Sequence, residues 1–315
     1  EGTKDARAPL SRSGRGWREA PGEGSQRKVT IMEQGRTNRL LGYREDARLL
    51  IVNADDFGMC HSNNSAIMQA LTEGIVSSTS LMAPCPWAPQ AMELLRAHPE
   101  VSFGVHLTLV SEFGPYRWGP VASKRDVPSL IDETGCFPLH EQIPELMDRM
   151  MLDEVEREYR AQIERVLAAK LQPDHLDWHC IPDGGRDDIF ALTVELAREY
   201  GLAVRVHGRT YADQLQARSL PVNDHEVLDS YGMSTIDKGA QYARKLRELP
   251  PGLNEWAVHP GLGTPEAQAI EPGTWQVRRS DFDFVISRAA RTILDEEGIV
   301  LLDYGALQRI WKEHA

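Results

Sequence analysis

Short apolar runs rich in β-branched residues alternate with amphipathic helical patterns from Arg48 to the end of the chain. Seven such runs have the composition of strands, and they cover residues 49–54, 77–83, 101–109, 174–180, 202–206, 255–260 and 298–304. Helical spacing of apolar residues recurs between them, in residues 65–74, 87–99, 152–169, 187–201, 235–249 and 280–298. Alternation of this kind predicts parallel strands joined by helices, so we predict an α/β fold.

The turn after the first predicted strand decides between two parallel architectures. Residues 53–58 read NADDFG, without the Gly-rich phosphate turn that often follows the first strand of an open doubly wound sheet. A (β/α) barrel is therefore favoured. Residues 110–145 and 207–254 form long connections, which we interpret as loops around the functional site and not as a second domain. We therefore predict one domain over residues 45–315.

Charge is distributed unevenly along the 315 residues. Residues 1–44 hold ten basic and five acidic residues, a net +5, whereas the whole chain carries −12, which leaves −17 for the remainder. Such an acidic body argues against nucleic acid and anionic membranes as partners. Gly, Pro, Ser and Arg dominate residues 1–26, so residues 1–44 are predicted to be a disordered basic leader. A tail that binds nucleic acid is the alternative.

The cysteines and the hydropathy of the chain indicate the cellular compartment in which the protein resides. Four cysteines occur without any C-x-x-C spacing, which indicates neither a disulfide framework nor a cysteine zinc site. No apolar run approaches the roughly 20 residues of a membrane helix, and no secretory signal is evident. These features predict a cytoplasmic protein.

Polar residues that bear chemistry stand at the ends of four predicted strands: Asp55 and Asp56, His106, His179, and His259. The C-terminal ends of barrel strands converge on one face, so these side chains are predicted to meet. Taken singly, the aspartate pair could be a solvated turn and His106 a hydrogen-bonded core residue. Burying several such groups without partners is costly, and a shared divalent metal explains them better. The ligand types alone do not distinguish Zn, Mg, Mn and Co, although imidazoles favour Mg least.

The segment HLDWH, residues 175–179, lies between two prolines that leave too little room for a helix. In a strand, His175, Asp177 and His179 point one way and the two apolar residues between them point the other way. A carboxylate beside a metal-binding imidazole fixes the tautomer of that imidazole. Asp177 and His175 are therefore predicted to support the metal ligands.

In chain order, the motifs RLLIVNADDFG, SSTSLM, GVHLTL, PDHLDWH, LAVR and VHPG resemble those of the YdjC-type (ChbG-like) carbohydrate deacetylases, distant relatives of the polysaccharide deacetylases. The resemblance covers roughly residues 48–305. It implies a distorted (β/α) barrel, one divalent metal ion, hydrolysis of an N-acetyl group from an amino sugar or small chitooligosaccharide, and a homodimer. The metal ligands it implies are Asp56, His106 and His179; the catalytic residues it implies are the base Asp55, Arg205 that holds this base, and the acid His259.

One segment departs from the family pattern. The third motif continues as Cys180-Ile181-Pro182, where the family often has further histidines, so the usual substrate is in doubt. Deacetylation of another acylated compound, such as an amino-sugar lipid head group or an O-acetyl ester, therefore stays open, as does a non-catalytic sugar-binding protein. Candidates for contact with a sugar are His61 and the aromatic residues Phe113, Tyr116 and Trp118.

Overall fold

A single parallel sheet of eight strands lies at the centre of the structure, a computed structural model that describes residues 35–314. The strands are β1 (Arg48–Phe57), β2 (Ser78–Leu81), β3 (Phe103–Leu107), β4 (His175–Trp178), β5 (Ala203–Val204), β6 (Leu228–Asp229), β7 (Gly252–Val258) and β8 (Val300–Leu301). Their order is β5-β4-β3-β2-β1-β7-β6, and β8 pairs with the start of β1. No ladder joins β5 to β6 within residues 35–314, so the barrel is open.

At least one helix lies in every connection between consecutive strands, which confirms the predicted α/β barrel-like fold. The helices are α1 (Arg36–Leu40), α2 (His61–Glu73), α3 (Ala88–Ala97), α4 (Ile143–Arg149), α5 (Leu152–Ala168), α6 (Asp187–Tyr200), α7 (Arg209–Ala217), α8 (Lys238–Arg247), α9 (Pro265–Ile270), α10 (Trp275–Val285), α11 (Arg288–Glu297) and α12 (Tyr304–Glu313). Across residues 35–314, no helix combines the length and apolar character that crossing a membrane requires.

Strand β1 is the centre of the sheet. It pairs with β7 along residues 48–54, with β2 near its end and with β8 near its start. Its residues 49–52 are all fully buried, because a barrel strand has helices on its outer face and the side chains of other strands on its inner face. This buried strand carries the two adjacent aspartates to the C-terminal edge of the sheet.

The start of α2 differs from the predicted helical pattern, which covers residues 65–74 and leaves Asn63 and Asn64 as possible caps before it. The helix begins at His61, and both asparagines lie buried in its first turn. The Asn64 side chain accepts a hydrogen bond from the Gly58 backbone N–H at 2.7 Å. It therefore stabilises the turn that follows the aspartates instead of capping the helix.

Two further elements differ from the predicted pattern. Residues 280–298 fall in two helices, because Ser287 interrupts them and its hydroxyl caps α11 by accepting from the Ala290 N–H. Strand β6 was not predicted, since only two of its residues join the ladder and they carry no alternating pattern.

The predicted leader falls mostly outside the described residues, and for residues 1–34 it stays a prediction. Residues 35–44 are described, and they are part of the folded domain, which differs from the boundary predicted at residue 45. Helix α1 buries Thr37 and Asn38; the Thr37 hydroxyl donates to the Val222 carbonyl, and the Asn38 amide donates to the carbonyls of Arg44 and Ala47.

Replacing Asn38 with alanine tests this docking. Because the fully buried Asn38 amide makes hydrogen bonds to two partly buried carbonyls, we expect Asn38→Ala to lower the free energy of unfolding by about 1–3 kcal/mol in urea denaturation. Arg39→Ala is the control, since the Arg39 side chain is 55% exposed and Glu45 is its only ion-pair partner among residues 35–314. Equal stability of both variants and the parent would show that α1 does not contribute to the fold.

Candidate active site

A β-bulge at the end of β1 lets two consecutive aspartates face the same cavity. Ala54 pairs with Thr79 and Phe57 with Leu81, so three steps along β1 oppose two steps along β2. Asp56 takes up the irregularity with φ 70°, in the left-handed region that costs a non-glycine residue energy. In a regular strand, neighbouring side chains would point to opposite faces.

The cavity at the C-terminal ends of the strands measures about 420 Å³. All the strand-end residues that were predicted to meet contribute to its wall, namely Asp55, Asp56, His106, His179 and His259. Arg205, from just after β5, lies beside them in the same wall. The structure thus brings together side chains that are separated by up to about two hundred residues.

Asp56, His106 and His179 converge as a set of metal ligands would. Asp56 Oδ1 lies 3.2 Å from His179 Nδ1 and 3.5 Å from His106 Nε2. The Asp56 side chain is almost completely buried, yet neither oxygen accepts an aligned hydrogen bond from residues 35–314. Arg278 lies 2.8 Å from Oδ2, whereas Oδ1 faces the two imidazoles, and a cation between these three groups would satisfy this buried oxygen. One carboxylate and two imidazoles fit a divalent metal with open positions.

Asp177 orients His106. The Asp177 carboxylate accepts from His106 Nδ1 at 2.8 Å, which leaves Nε2 to face Asp56. Burial lowers the pKa of His106, but Asp177, Asp56 and Asp55 outweigh this effect and raise the pKa to about 9. His175 takes a more distant place than predicted: its Nδ1 bonds to Asp174 at 2.6 Å, and its Nε2 lies 3.9 Å from Asp177 without contact to a candidate ligand.

Asp55 is held by Arg205 and not by the histidines. The guanidinium donates to both Asp55 oxygens at 2.8 Å, and the Asn53 amide donates to Oδ1 at 2.7 Å. Arg205 also lies 3.0 Å from Asp177 and 2.6 Å from Glu255. Burial raises the pKa of Asp55, but the charge and hydrogen bonds of Arg205, together with the charge of His106, outweigh burial and leave the pKa below its ordinary value. Asp55 is therefore ionised at neutral pH.

His259 presents one ring nitrogen to this pair. Its Nδ1 lies 2.8 Å from the Ser230 hydroxyl, while its Nε2 lies 4.0 Å from Asp55 Oδ2. The ring stands edge-on to Tyr231, and the His259 backbone N–H donates to Asp281. These contacts fix the imidazole with Nε2 toward the cavity.

Sequence reasoning missed two charged residues that contact the candidate ligands. Arg278 of α10 lies 2.8 Å from Asp56 Oδ2 and 2.8 Å from Glu271, and Glu112 lies 3.1 Å from His179 Nε2. Burial raises the pKa of Asp56, but Arg278 and the two histidines outweigh burial and hold this pKa well below its usual range. The sequence does contain a signal for Arg278. Residues 278, 281, 282 and 285 follow helical spacing, so the charged residues Arg278 and Asp281 lie on the same helix face as the apolar residues Phe282 and Val285, which indicates buried charges.

The residues predicted to contact a sugar fall in different places. Phe113 lines the cavity, and the Tyr116 hydroxyl donates to the Met59 carbonyl. Trp118 does not lie on the rim as predicted: its side chain is buried and its indole N–H donates to the Val110 carbonyl, because the loop folds inward there. His61 is exposed beside Gln90 and does not line the cavity.

The segment that departs from the family pattern forms part of the cavity wall. Cys180 and Pro182 line the cavity, whereas Ile181 is buried in the core. Asp183 accepts hydrogen bonds from the backbone N–H groups of His207 and Gly208, which ties this wall to the end of β5.

Comparison with known proteins finds a matching family model, similar proteins and a similar solved structure. The family model described as YdjC-like protein matches residues 49–296. A carbohydrate deacetylase of Enterococcus faecalis is 29% identical, and the match covers 82% of this chain and 97% of that protein. A carbohydrate deacetylase of Thermoanaerobacter pseudethanolicus is 30% identical, and the match covers 83% of this chain and 100% of that protein. The crystal structure of a putative cellobiose-phosphate cleavage protein from Enterococcus faecalis superimposes with a TM-score of 0.71 at 28% identity, covering 83% of this chain and 99% of that one.

Removing Arg205 tests its place among three buried carboxylates. We expect Arg205→Met to lower the free energy of unfolding by about 3–5 kcal/mol near neutral pH, because the carboxylates lose their counter-charge. The lowered pKa of Asp55 contributes stability above the unfolded pKa of about 3.9, and this stability is lost as the pH falls through the folded pKa. Without the arginine, burial raises the pKa of the carboxylates, so they take up protons at a higher pH in the variant than in the parent. Protonation removes their unbalanced charge, and the difference in the free energy of unfolding between variant and parent therefore narrows toward pH 4.

Arg279→Met is the matched control, since the Arg279 side chain is 45% exposed in its pair with Asp283. Urea denaturation between pH 7 and pH 4.5 measures both variants. A loss for Arg205→Met that matches the control, or that does not change with pH, would contradict this account.

Proposed function

The chain belongs to the YdjC-like family, and from this premise we propose that it is a metal-dependent carbohydrate deacetylase that hydrolyses the N-acetyl group of an amino sugar or small oligosaccharide. One observation carries the proposal: two adjacent aspartates share a cavity but have separate partners. Asp56 lies with His106 and His179, whereas Asp55 lies with Arg205. The relatives named carbohydrate deacetylases support the reaction class.

Asp56, His106 and His179 would hold the divalent ion. When bound there, such an ion polarises a carbonyl group and lowers the pKa of water. Asp177 supports the set, because its hydrogen bond to His106 Nδ1 keeps Nε2 as the free nitrogen. Arg278 holds Asp56 Oδ2 and leaves Oδ1 beside the two imidazoles.

Asp55 acts as the general base. It is ionised because Arg205 balances its charge. Oδ1 accepts from Arg205 and Asn53, whereas Oδ2 accepts from Arg205 and keeps a lone pair on the side of His259. The carboxylate takes a proton from the attacking water as the carbon–oxygen bond forms. Arg205 thus orients the base and limits how far it can move.

His259 acts as the general acid. An amine leaves poorly unless it is protonated, so cleavage of the carbon–nitrogen bond requires a proton donor on the leaving side. His259 Nε2 faces the cavity, and the proton it delivers to the nitrogen completes acetate and a free amine. Ser230 holds the opposite ring nitrogen and thereby aims the donor.

A screen for acetate release tests the proposed function. The metal-loaded protein is incubated with N-acetylglucosamine oligomers of increasing length and, in parallel, with O-acetyl sugars and an N-acetylated lipid head group. We expect turnover on N-acetyl sugars. Turnover confined to esters or lipid head groups would support the alternative that the protein deacetylates another acylated compound. This alternative stays open because Cys180 and Pro182 in the cavity wall depart from the family pattern. Absence of turnover on all of them, with sugar binding retained, would indicate a non-catalytic binding protein.

The two neighbouring aspartates are expected to respond differently to the same substitution. Asp56→Asn should lose bound divalent metal in elemental analysis, because it removes the carboxylate of the set. Asp55→Asn should retain the metal and lose about 10²- to 10⁴-fold in kcat, as removal of a general base does. His61→Asn is the control, since His61 lies outside the cavity. Loss of metal from the Asp55 variant would reverse the two assignments.

His259→Ala is expected to distinguish an acid from a structural histidine. The loss in kcat/KM should be about 10²- to 10⁴-fold on an N-acetyl sugar but much smaller on an activated aryl acetate, whose leaving group needs no proton. Ser230→Ala should cause an intermediate loss in kcat/KM on the N-acetyl sugar, because the His259 ring remains but loses the hydrogen bond that orients it. Equal losses on both substrates, accompanied by a lower melting temperature, would remove His259 from the mechanism.

A further inference from the structure

His179 contacts a second group of metal-binding atoms through the ring nitrogen that faces away from Asp56. Its Nε2 lies 3.1 Å from Glu112 Oε1 and 3.4 Å from Cys180 Sγ. Cys180 Sγ lies 3.5 Å from the same Glu112 oxygen. The three atoms form a compact triangle that includes neither Asp56 nor His106.

The dimensions of this triangle match a tetrahedral zinc site. With zinc bonds of about 2.0 Å to nitrogen and oxygen and about 2.3 Å to sulfur, ligand atoms of a tetrahedron stand about 3.3 Å apart for nitrogen and oxygen and about 3.5 Å apart for pairs with sulfur. The observed separations lie within about 0.2 Å of these values. The side chains would therefore need little movement to bind an ion.

The backbone conformation that forms the triangle is an unusual one. Cys180 has φ 58°, a left-handed conformation that costs a cysteine energy and turns its side chain back toward His179. His179 is almost fully buried, and the Glu112 side chain is 15% exposed. All three residues line the cavity, so an ion has a path to them.

Charge in this region also suits an added cation. Arg278 lies 3.8 Å from Glu112 and makes closer ion pairs with Asp56 and Glu271 at 2.8 Å each. The closer partner of Glu112 is His179 Nε2 at 3.1 Å, so an ion bound to Nε2 would take the place of the ring proton that faces this carboxylate. A thiolate at Cys180 would add a second negative charge and a soft ligand that selects thiophilic ions.

We propose that Glu112, His179 and Cys180 form a second cation site, selective for a thiophilic divalent ion such as Zn²⁺ or Cd²⁺. In the protein without an ion at the first set, the ion bonds to the carboxylate, to Nε2 and to sulfur; the thiol proton and the Nε2 proton pass to solvent, and the ring keeps its other proton on Nδ1 beside Asp56. The site does not rest on the proposed deacetylase function, since it uses the opposite nitrogen of His179. An ion held there also occupies part of the cavity wall.

Cadmium binding tests the site directly. The metal-free full-length protein is titrated with Cd²⁺, and the ultraviolet charge-transfer absorption of a cadmium–thiolate bond is recorded as a difference spectrum. We expect the parent protein to show one such bond per chain. Cys180→Ser and Cys180→Ala should lose it, and Glu112→Gln should need roughly tenfold or more Cd²⁺ to reach it. Cys136→Ser is the control, because Cys136 lies outside the cavity and should leave the signal unchanged.

Asp56→Asn separates this proposal from the proposed function. It disables the first set of ligands, and we expect it to retain the cadmium–thiolate signal in full. The proposal is overturned if the parent shows no thiolate bond, if the signal persists in the folded Cys180 variants, or if Asp56→Asn abolishes it. Melting curves of each variant establish whether the fold is intact. If one Cys180 variant fails to fold, the other still provides the test.

Discussion

Two buried arginines allow neighbouring aspartates to stay charged in a cavity wall that is nearly closed to water. Arg205 pairs with Asp55 from the β5 side, and Arg278 pairs with Asp56 from α10. Without such counter-charges, two adjacent carboxylates at this depth would share a proton, as closely spaced acids do. Each arginine also reaches a further carboxylate, Glu255 or Glu271, so each is itself balanced. The different chemistry of the two aspartates follows from this division of partners.

The bulge in β1 makes the division possible. A regular strand would send one of the aspartates into the helical layer, where a charge has no partner. The extra residue turns both toward the cavity and separates them enough for one to meet the histidines and the other to meet Arg205. Arg205 also contacts Asp177, which orients His106, so the same guanidinium links the base to the candidate metal ligands. A change at Arg205 therefore affects both.

The sequence sufficed for the architecture and for the central residues of the site because both depend on local patterns. The β-rich runs, the helical spacing and the histidines at strand ends are visible without tertiary information, and the order of strands then brings the ends together. The bulge was not visible, since NADDFG is equally compatible with a simple turn. Glu112 and Arg278 were missed because they reach the cavity from a loop and from a helix, outside the strand ends on which the reasoning relied. Trp118 was misplaced because exposure of a loop aromatic depends on how the loop folds.

We infer that Asp56, with His106 and His179, holds a divalent ion while Asp55 stays with Arg205. Anomalous diffraction from a crystal loaded with Mn²⁺, an ion that favours oxygen and nitrogen over sulfur, tests this claim directly. The expected result is an anomalous peak within bonding distance of Asp56, His106 and His179, with both Asp55 oxygens still paired with Arg205. A peak bonded to Asp55, or a peak away from these three side chains, would contradict the account.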